Sequence, residues 1–378
     1  MDDRLTRIRA ALAEAKLDAL YISSPVDDSY GRHSQNRQYV SGFSGSTGRA
    51  LITRDRAILA VDFRYVEQAE REAVPLGFEV WKTPPSRQKE WLPRLFADAE
   101  LAGTTIGISR DDVSYGEFVT VQEAARSMPP GARPKLKPAP RIVESLRKLK
   151  DAAELMALQR SIDICDAAYE RTWATIAAGQ TEREVAAEVE SAIRALGGDG
   201  VSFDTIVAGG PWAAMPHASP RDEPLREGQT IVIDMGALAG GYCSDLTRTT
   251  VLGAPDGKFQ EIYAIVFEAQ RNAIERVEPG MPGPIAHALA WDVIAKHGYG
   301  EQFGHGLGHG VGLEVHEAPY LGKTSEDTLQ EGMVFTIEPG IYVPGWGGVR
   351  IEDVVVLEGG RARVLSRAQK LTPAGVTG

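Results

Sequence analysis

Acidic residues stand inside stretches that otherwise read as buried strand, and this limits what the chain can fold into. TIVIDMGALAGGYCSDLTRTTV, residues 230–251, alternates as far as Asp234, turns through ALAGG, and resumes as a second strand carrying Asp245. MVFTIEPGIYV, residues 333–343, is interrupted by Glu338, and GVRIEDVVVL, residues 348–357, by Glu352. An ionised carboxylate among apolar strand residues is costly unless it is paired or ligated. A hairpin can set Asp234 and Asp245 side by side on one face, where they would repel unless they shared a proton or a cation. Taken singly, each acid has an ordinary explanation. Either aspartate could be a turn or cap residue, and Glu352 could pair with Arg350, two residues away on the same face.

The stretch FGHGLGHGVGLEVHEAP, residues 303–319, adds His305, His309 and His316, three of the seven histidines. Neutral imidazole is the commonest protein ligand for transition metals, although His309 alone could be a satisfied core histidine. Two Asp, two Glu and one His within one region suit two divalent ions.

The remaining chain reads as an ordinary soluble protein of about two domains, at 378 residues with 43% apolar and 25% charged composition. A net charge of −11 argues against nucleic-acid binding. MDDRLTRIRA lacks an apolar signal core, and no run reaches the length of a membrane span, so we expect a cytoplasmic protein with no membrane association. Two cysteines, Cys165 and Cys243, fit a reducing compartment. Strand-like DALYISS, RALITRD and RAILAVD alternate with helical stretches, which predicts an α/β domain over residues 1–138. MPPGARPKLKPAPR, residues 128–141, holds five prolines and reads as a linker. Residues 139–378 read as α+β. Helices open at capping boxes Asp151/Glu154 and Thr181/Glu184, two more are expected near 257–277 and 284–297, and strand pairs lie between and after them. Cys165 falls on the apolar stripe of the first of these helices and reads as core.

From about residue 150 the chain resembles the pita-bread metallopeptidases, which include methionine aminopeptidase, Xaa-Pro aminopeptidase and Xaa-Pro dipeptidase (prolidase). The blocks that carry the resemblance are MPHASP, VIDMGA with GYCSDLTRT, HGLGHGVGLEVHE, TIEPGIY and GVRIED. NRQYVSGFSGSTGRALIT and AVDFRYVEQAEREA resemble the front domain of the proline-specific branch. The resemblance implies a creatinase-like α/β amino-terminal domain, a pita-bread catalytic domain and a homodimer. It also implies that Asp234, Asp245, His309, Glu338 and Glu352 hold two divalent metal ions, with manganese first and zinc, cobalt or iron as alternatives. The expected activity is hydrolysis of the Xaa-Pro bond at peptide amino termini.

In that chemistry Glu338 takes a proton from the attacking water, and His217 and His316 hydrogen-bond the substrate and its developing oxyanion. Arg350 orients an acidic ligand, and His305 shapes the proline pocket. Cys243 reads as packing. Two features depart from the family pattern. Trp212 occupies GGPWAAMPH ahead of His217, where it either reshapes the pocket rim or packs beside it. The segment between His316 and Glu338 has no arginine to grip a dipeptide carboxylate, which leaves Lys323 or Arg37 as candidate anchors. An Xaa-Pro aminopeptidase is therefore expected over a strict dipeptidase. A metal-free hydrolase and a noncatalytic peptide-binding module on the same fold are the more distant alternatives.

Overall fold

The computed structural model describes residues 4–23 and 34–371. The opening Met-Asp-Asp of the amino-terminal stretch lies outside them. The chain divides into two compact units between Arg147 and Lys148.

The first unit is built on one six-stranded sheet. Its spatial order is Glu79–Lys82, Ala57–Val61, Arg49–Thr53, Ala19–Ile22, Thr105–Ile108 and Lys135–Pro138. Strands Ala19–Ile22 and Ala57–Val61 are buried at every position, as strands covered on both faces must be. The proline-rich stretch is not a linker. A short 3₁₀ turn at Pro130–Ala132 leads into Lys135–Pro138, which pairs in parallel with Thr105–Ile108 at the sheet edge. An edge strand tolerates a residue without an N–H, so proline content there does not exclude regular structure.

In the second unit, helices Ala152–Trp173 and Glu182–Ala195 each begin at the expected capping box. Helices Gly257–Arg276 and Gly283–Lys296 follow. Two sheets supply the acids. One is three-stranded, with Thr230–Met235 between Ile206–Gly209 and Leu246–Val251. The other is five-stranded, in the order Glu317–Leu321, Gly308–Gly310, Val334–Ile337, Asp353–Glu358 and Arg361–Val364.

The strand Thr230–Met235 reaches Leu246–Val251 through a small hairpin, Ala237–Ala239 with Tyr242–Cys243. Its Gly240-Gly241 turn has φ of 60° and 85°, which non-glycine residues avoid. The two apolar runs read as interrupted strands are each two strands in different sheets. Val334–Ile337 gives way to Gly340–Val343 across Glu338-Pro339, and Gly347–Arg350 gives way to Asp353–Glu358 across Ile351-Glu352. Both glutamates thus sit where the chain changes sheets. No described helix is long and apolar enough to cross a membrane.

Candidate metal centre

Each acid reaches the centre for a local reason. Register sets Thr247 opposite Asp234, and Asp245 immediately precedes the same strand, so the two aspartates approach diagonally rather than directly across. Glu338 follows the last residue of its strand and anchors its N–H on the Leu307 carbonyl at 2.8 Å. The Glu352 N–H donates to the Thr247 carbonyl at 3.1 Å, and its Oε2 accepts from the Thr247 hydroxyl at 2.7 Å. Thr247 therefore carries Glu352 across to the aspartates.

His309 lies between two glycines because its strand is pressed against backbone. A Cβ on Gly308 would stand 1.9 Å from the Thr336 carbonyl oxygen, closer than any side chain can be accommodated. The His309 N–H donates to Thr336 Oγ1 at 3.0 Å, and that hydroxyl donates to Glu338 Oε1 at 3.1 Å. The ring Nδ1 faces the Gly310 carbonyl at 3.1 Å, which places a proton there; Nε2 then donates to a carboxylate when the ring is charged and offers its lone pair to a metal when the ring is neutral. Nε2 points at Glu338 Oε1, 3.2 Å away, and Asp245 Oδ2, 3.6 Å away.

Three overlapping groups result: Asp234–Asp245–Glu352, His309–Glu338–Glu352 and Asp245–His309–His316. In each, the potential ligand atoms lie within 4.8 Å of one another. All five expected ligands are brought together, and His316 joins them, its ring 4.2 Å from that of His309. His217 and His305 stand outside these groups and line the same cavity of about 610 Å³. His305 is held by the Gly306 carbonyl at 2.8 Å and the Tyr342 hydroxyl at 2.9 Å. Arg350 pairs with Asp234 at 2.6 Å, not with Glu352, and also donates to Tyr342 and Thr247, each at 2.9 Å.

The donor set fits divalent cations. Asp234 Oδ1 and Glu352 Oε1 are buried without a hydrogen-bond partner, a costly state for a carboxylate unless something binds it. Burial, reinforced by neighbouring carboxylates, pushes Asp245 and Glu352 well above the usual range. Burial also raises Asp234 despite Arg350. Burial acts on Glu338 in the same direction, but the hydrogen bond and charge of His309 outweigh it and bring that carboxyl down to about 2. Desolvation and the neighbouring His309 hold His316 down to about 4, so it is a neutral donor or acceptor at neutral pH. Bound cations would let the raised acids ionise together.

The remaining candidates fall into place. The Trp212 indole N–H donates to the Ser219 carbonyl at 3.0 Å, and the Arg221 guanidinium lies 4.2 Å over its ring. Trp212 thus packs behind the loop that carries His217 instead of lining the cavity. Arg37 is fully buried in the first unit and donates to the Gly45 and Gly48 carbonyls, which removes it as a carboxylate anchor. Lys323 lies 5.0 Å over the Trp291 ring. Among the described residues that line the cavity, Arg350 is the only lysine or arginine, and its donors are engaged. Both cysteines are buried; the Cys165 thiol donates to Met235 and that of Cys243 to Leu313. Thr247, Thr336 and Tyr342 were not singled out from sequence. A hydroxyl in a strand carries little signal until its neighbours are known.

Buried carboxylates gathered with an imidazole along one cavity form a candidate metal-binding centre. Residues 156–358 match the family model for metallopeptidase family M24, and residues 4–149 match the creatinase/prolidase N-terminal domain. The chain belongs to the M24 metallopeptidases, with a creatinase-type front domain and a pita-bread catalytic domain. It is 35% identical to an Xaa-Pro dipeptidase of Pyrococcus furiosus, over 98% of this chain and 99% of that one. Its structure matches an Xaa-Pro dipeptidase from Bacillus anthracis with a TM-score of 0.88 at 36% identity, covering 97% of this chain and 98% of that one. It matches an X-Pro aminopeptidase from Thermotoga maritima with a TM-score of 0.85 at 34% identity, covering 96% and 98%.

Proposed function

We propose that this metallopeptidase hydrolyses the Xaa-Pro bond of dipeptides. The observation that carries the reading is the convergence of Asp234, Asp245, His309, Glu338 and Glu352, with orphaned carboxylate oxygens, on one cavity. The converged set favours it over a metal-free hydrolase or a noncatalytic binding module. These five residues would hold two divalent ions, of which manganese is our first expectation. When bound, such ions supply the positive charge that makes water a nucleophile near neutral pH. Glu338, held beside His309, accepts the proton of the attacking water. His217 and His316 line the cavity where they can donate to the carbonyl oxygen as it gains charge. Arg350 fixes Asp234, and Tyr342 fixes His305 against the proline ring. The Xaa-Pro bond has no N–H, so nothing in the cavity need accept one.

The names of the Pyrococcus and Bacillus relatives support dipeptide substrates over the aminopeptidase reading expected from the missing arginine. One observation still favours longer substrates: among described cavity residues no uncommitted lysine or arginine is available for a carboxylate. Comparing kcat/KM for a matched Xaa-Pro dipeptide and Xaa-Pro-Yaa tripeptide decides the matter. A tripeptide value at least about a hundredfold lower, roughly 2.7 kcal/mol, is expected. Equal values would make this an Xaa-Pro aminopeptidase. We also read the protein as cytoplasmic, supported by a content of only two cysteines in 378 residues, and as a homodimer, supported by the family resemblance alone.

A further inference from the structure

Arg248 belongs to the strand that carries Thr247, but it points to the opposite side, and its side chain is 1% exposed. Its Nη1 donates to the Thr247 carbonyl at 3.1 Å and to the Glu352 carbonyl. The Thr247 carbonyl also receives the Glu352 N–H, so one guanidinium nitrogen joins the carbonyl that holds the Glu352 N–H to the carbonyl of Glu352 itself. Nη2 donates to Asp353 Oδ1 at 2.9 Å and to the Ala368 carbonyl at 2.7 Å, while Nε donates to the Ala368 and Gln369 carbonyls, both at 3.2 Å.

The acceptors at 368–369 lie in an extended strap, residues 365–370, that side chains hold more than any sheet ladder does. Leu365 donates its N–H to the Val354 carbonyl. Beyond it, Asp166 accepts the Arg367 N–H at 2.6 Å, and Glu170 accepts that of Gln369 at 3.3 Å. Lys370 reaches Gln270 at 2.8 Å and also pairs with Asp353. Glu352 therefore stands between Thr247 on the cavity side and a guanidinium on the other side that is itself tied to the strap.

We infer that Arg248 is a positioning residue for the metal centre, and that through it the strap 365–370 sets where the Glu352 carboxylate stands. The inference rests on Glu352 being a metal ligand. A lysine at 248 could keep the charge opposite Asp353, but it cannot span the Glu352 and Ala368 carbonyls, because its donors radiate from one atom.

The test compares Arg248→Lys, a chain ending at Ser366, the two combined, and Glu352→Gln. Each is measured for its Mn²⁺ dissociation constant, for kcat and KM on an Xaa-Pro dipeptide, and for its thermal transition. Each single change at 248 or in the strap should weaken Mn²⁺ binding about 10–100-fold, the usual cost of losing a partner that orients a ligand. We expect kcat to fall with KM within about threefold, and the combined variant to be no worse than the more severe single one, because both act on one linkage. Wild-type Mn²⁺ affinity in folded Arg248→Lys or truncated protein, or losses that multiply in the combination, would overturn the inference. If Arg248→Lys has no thermal transition, the truncation alone decides. Glu352→Gln separates the two readings. Unchanged Mn²⁺ affinity there removes the ligand assignment itself, whereas loss there with no loss in the other variants defeats only the role of Arg248.

Discussion

At the scale of single residues, His309 and His217 face one cavity but differ in what holds them. His309 has its Nδ1 fixed by the Gly310 carbonyl and its Nε2 aimed at two carboxylates. His217 is exposed on the loop behind which Trp212 packs. Replacing His309 with alanine should weaken Mn²⁺ binding by more than about a hundredfold, since even an outer partner of a ligand costs 10–100-fold. His217→Ala should keep the metal and lower kcat on the order of 10²–10³-fold. Metal analysis beside turnover checks both, and the opposite pattern would reverse the assignments. The four acidic candidates were legible in the sequence because burying an acid is expensive, so each acid inside a strand run announced itself, whereas His309 was distinguished from His305 and His316 only by the family resemblance. Arg350 was legible as a partner, though its partner is Asp234 and not Glu352. Thr247 and Tyr342 were not legible, because their importance comes only from what folding places beside them.

At the scale of elements, the glycine-histidine-glycine strand leaves no space for even one added methyl. Gly308→Ala should destabilise the protein by about 2–4 kcal/mol and weaken metal binding, because its Cβ would meet backbone that cannot rotate away. Urea unfolding checks this, and a change below about 0.5 kcal/mol would mean the strand can shift freely. The helix Ala152–Trp173 carries Asp166, whose carboxyl burial pushes up to about 6 even though it accepts the Arg367 N–H. The native state therefore binds this proton more tightly than the unfolded chain does. Its contribution falls as pH rises from about 4 to about 6 and stays low above that. Asp166→Asn should be more stable than wild type by about 3 kcal/mol at pH 7, with the advantage nearly gone at pH 4. Thermal melts across that range test it, and a pH-independent difference would contradict it. Capping boxes were legible because their chemistry is local. The strand Lys135–Pro138 was not, because an edge position is a property of the whole sheet.

At the scale of the whole molecule, the centre draws on separate sheets: Asp234 lies in the three-stranded sheet with Asp245 just before its neighbouring strand, His309 lies in the five-stranded sheet, and Glu338 and Glu352 sit where the chain passes between that sheet and the two-stranded one. No periodicity in the sequence reveals that meeting, and it was legible only through the family resemblance. Pulling apart either side would leave carboxylates buried without compensation, so metal binding and integrity of the catalytic unit should be linked. The most direct measurement is the amount of Mn²⁺ bound per chain, counted alongside Xaa-Pro dipeptide turnover as chelator-stripped protein is reloaded. The account predicts no turnover when stripped, recovery as binding approaches about two ions per chain, and loss of both in Asp245→Ala and Glu352→Ala. Full turnover by the stripped protein, or undiminished Mn²⁺ binding in those two variants, would contradict it.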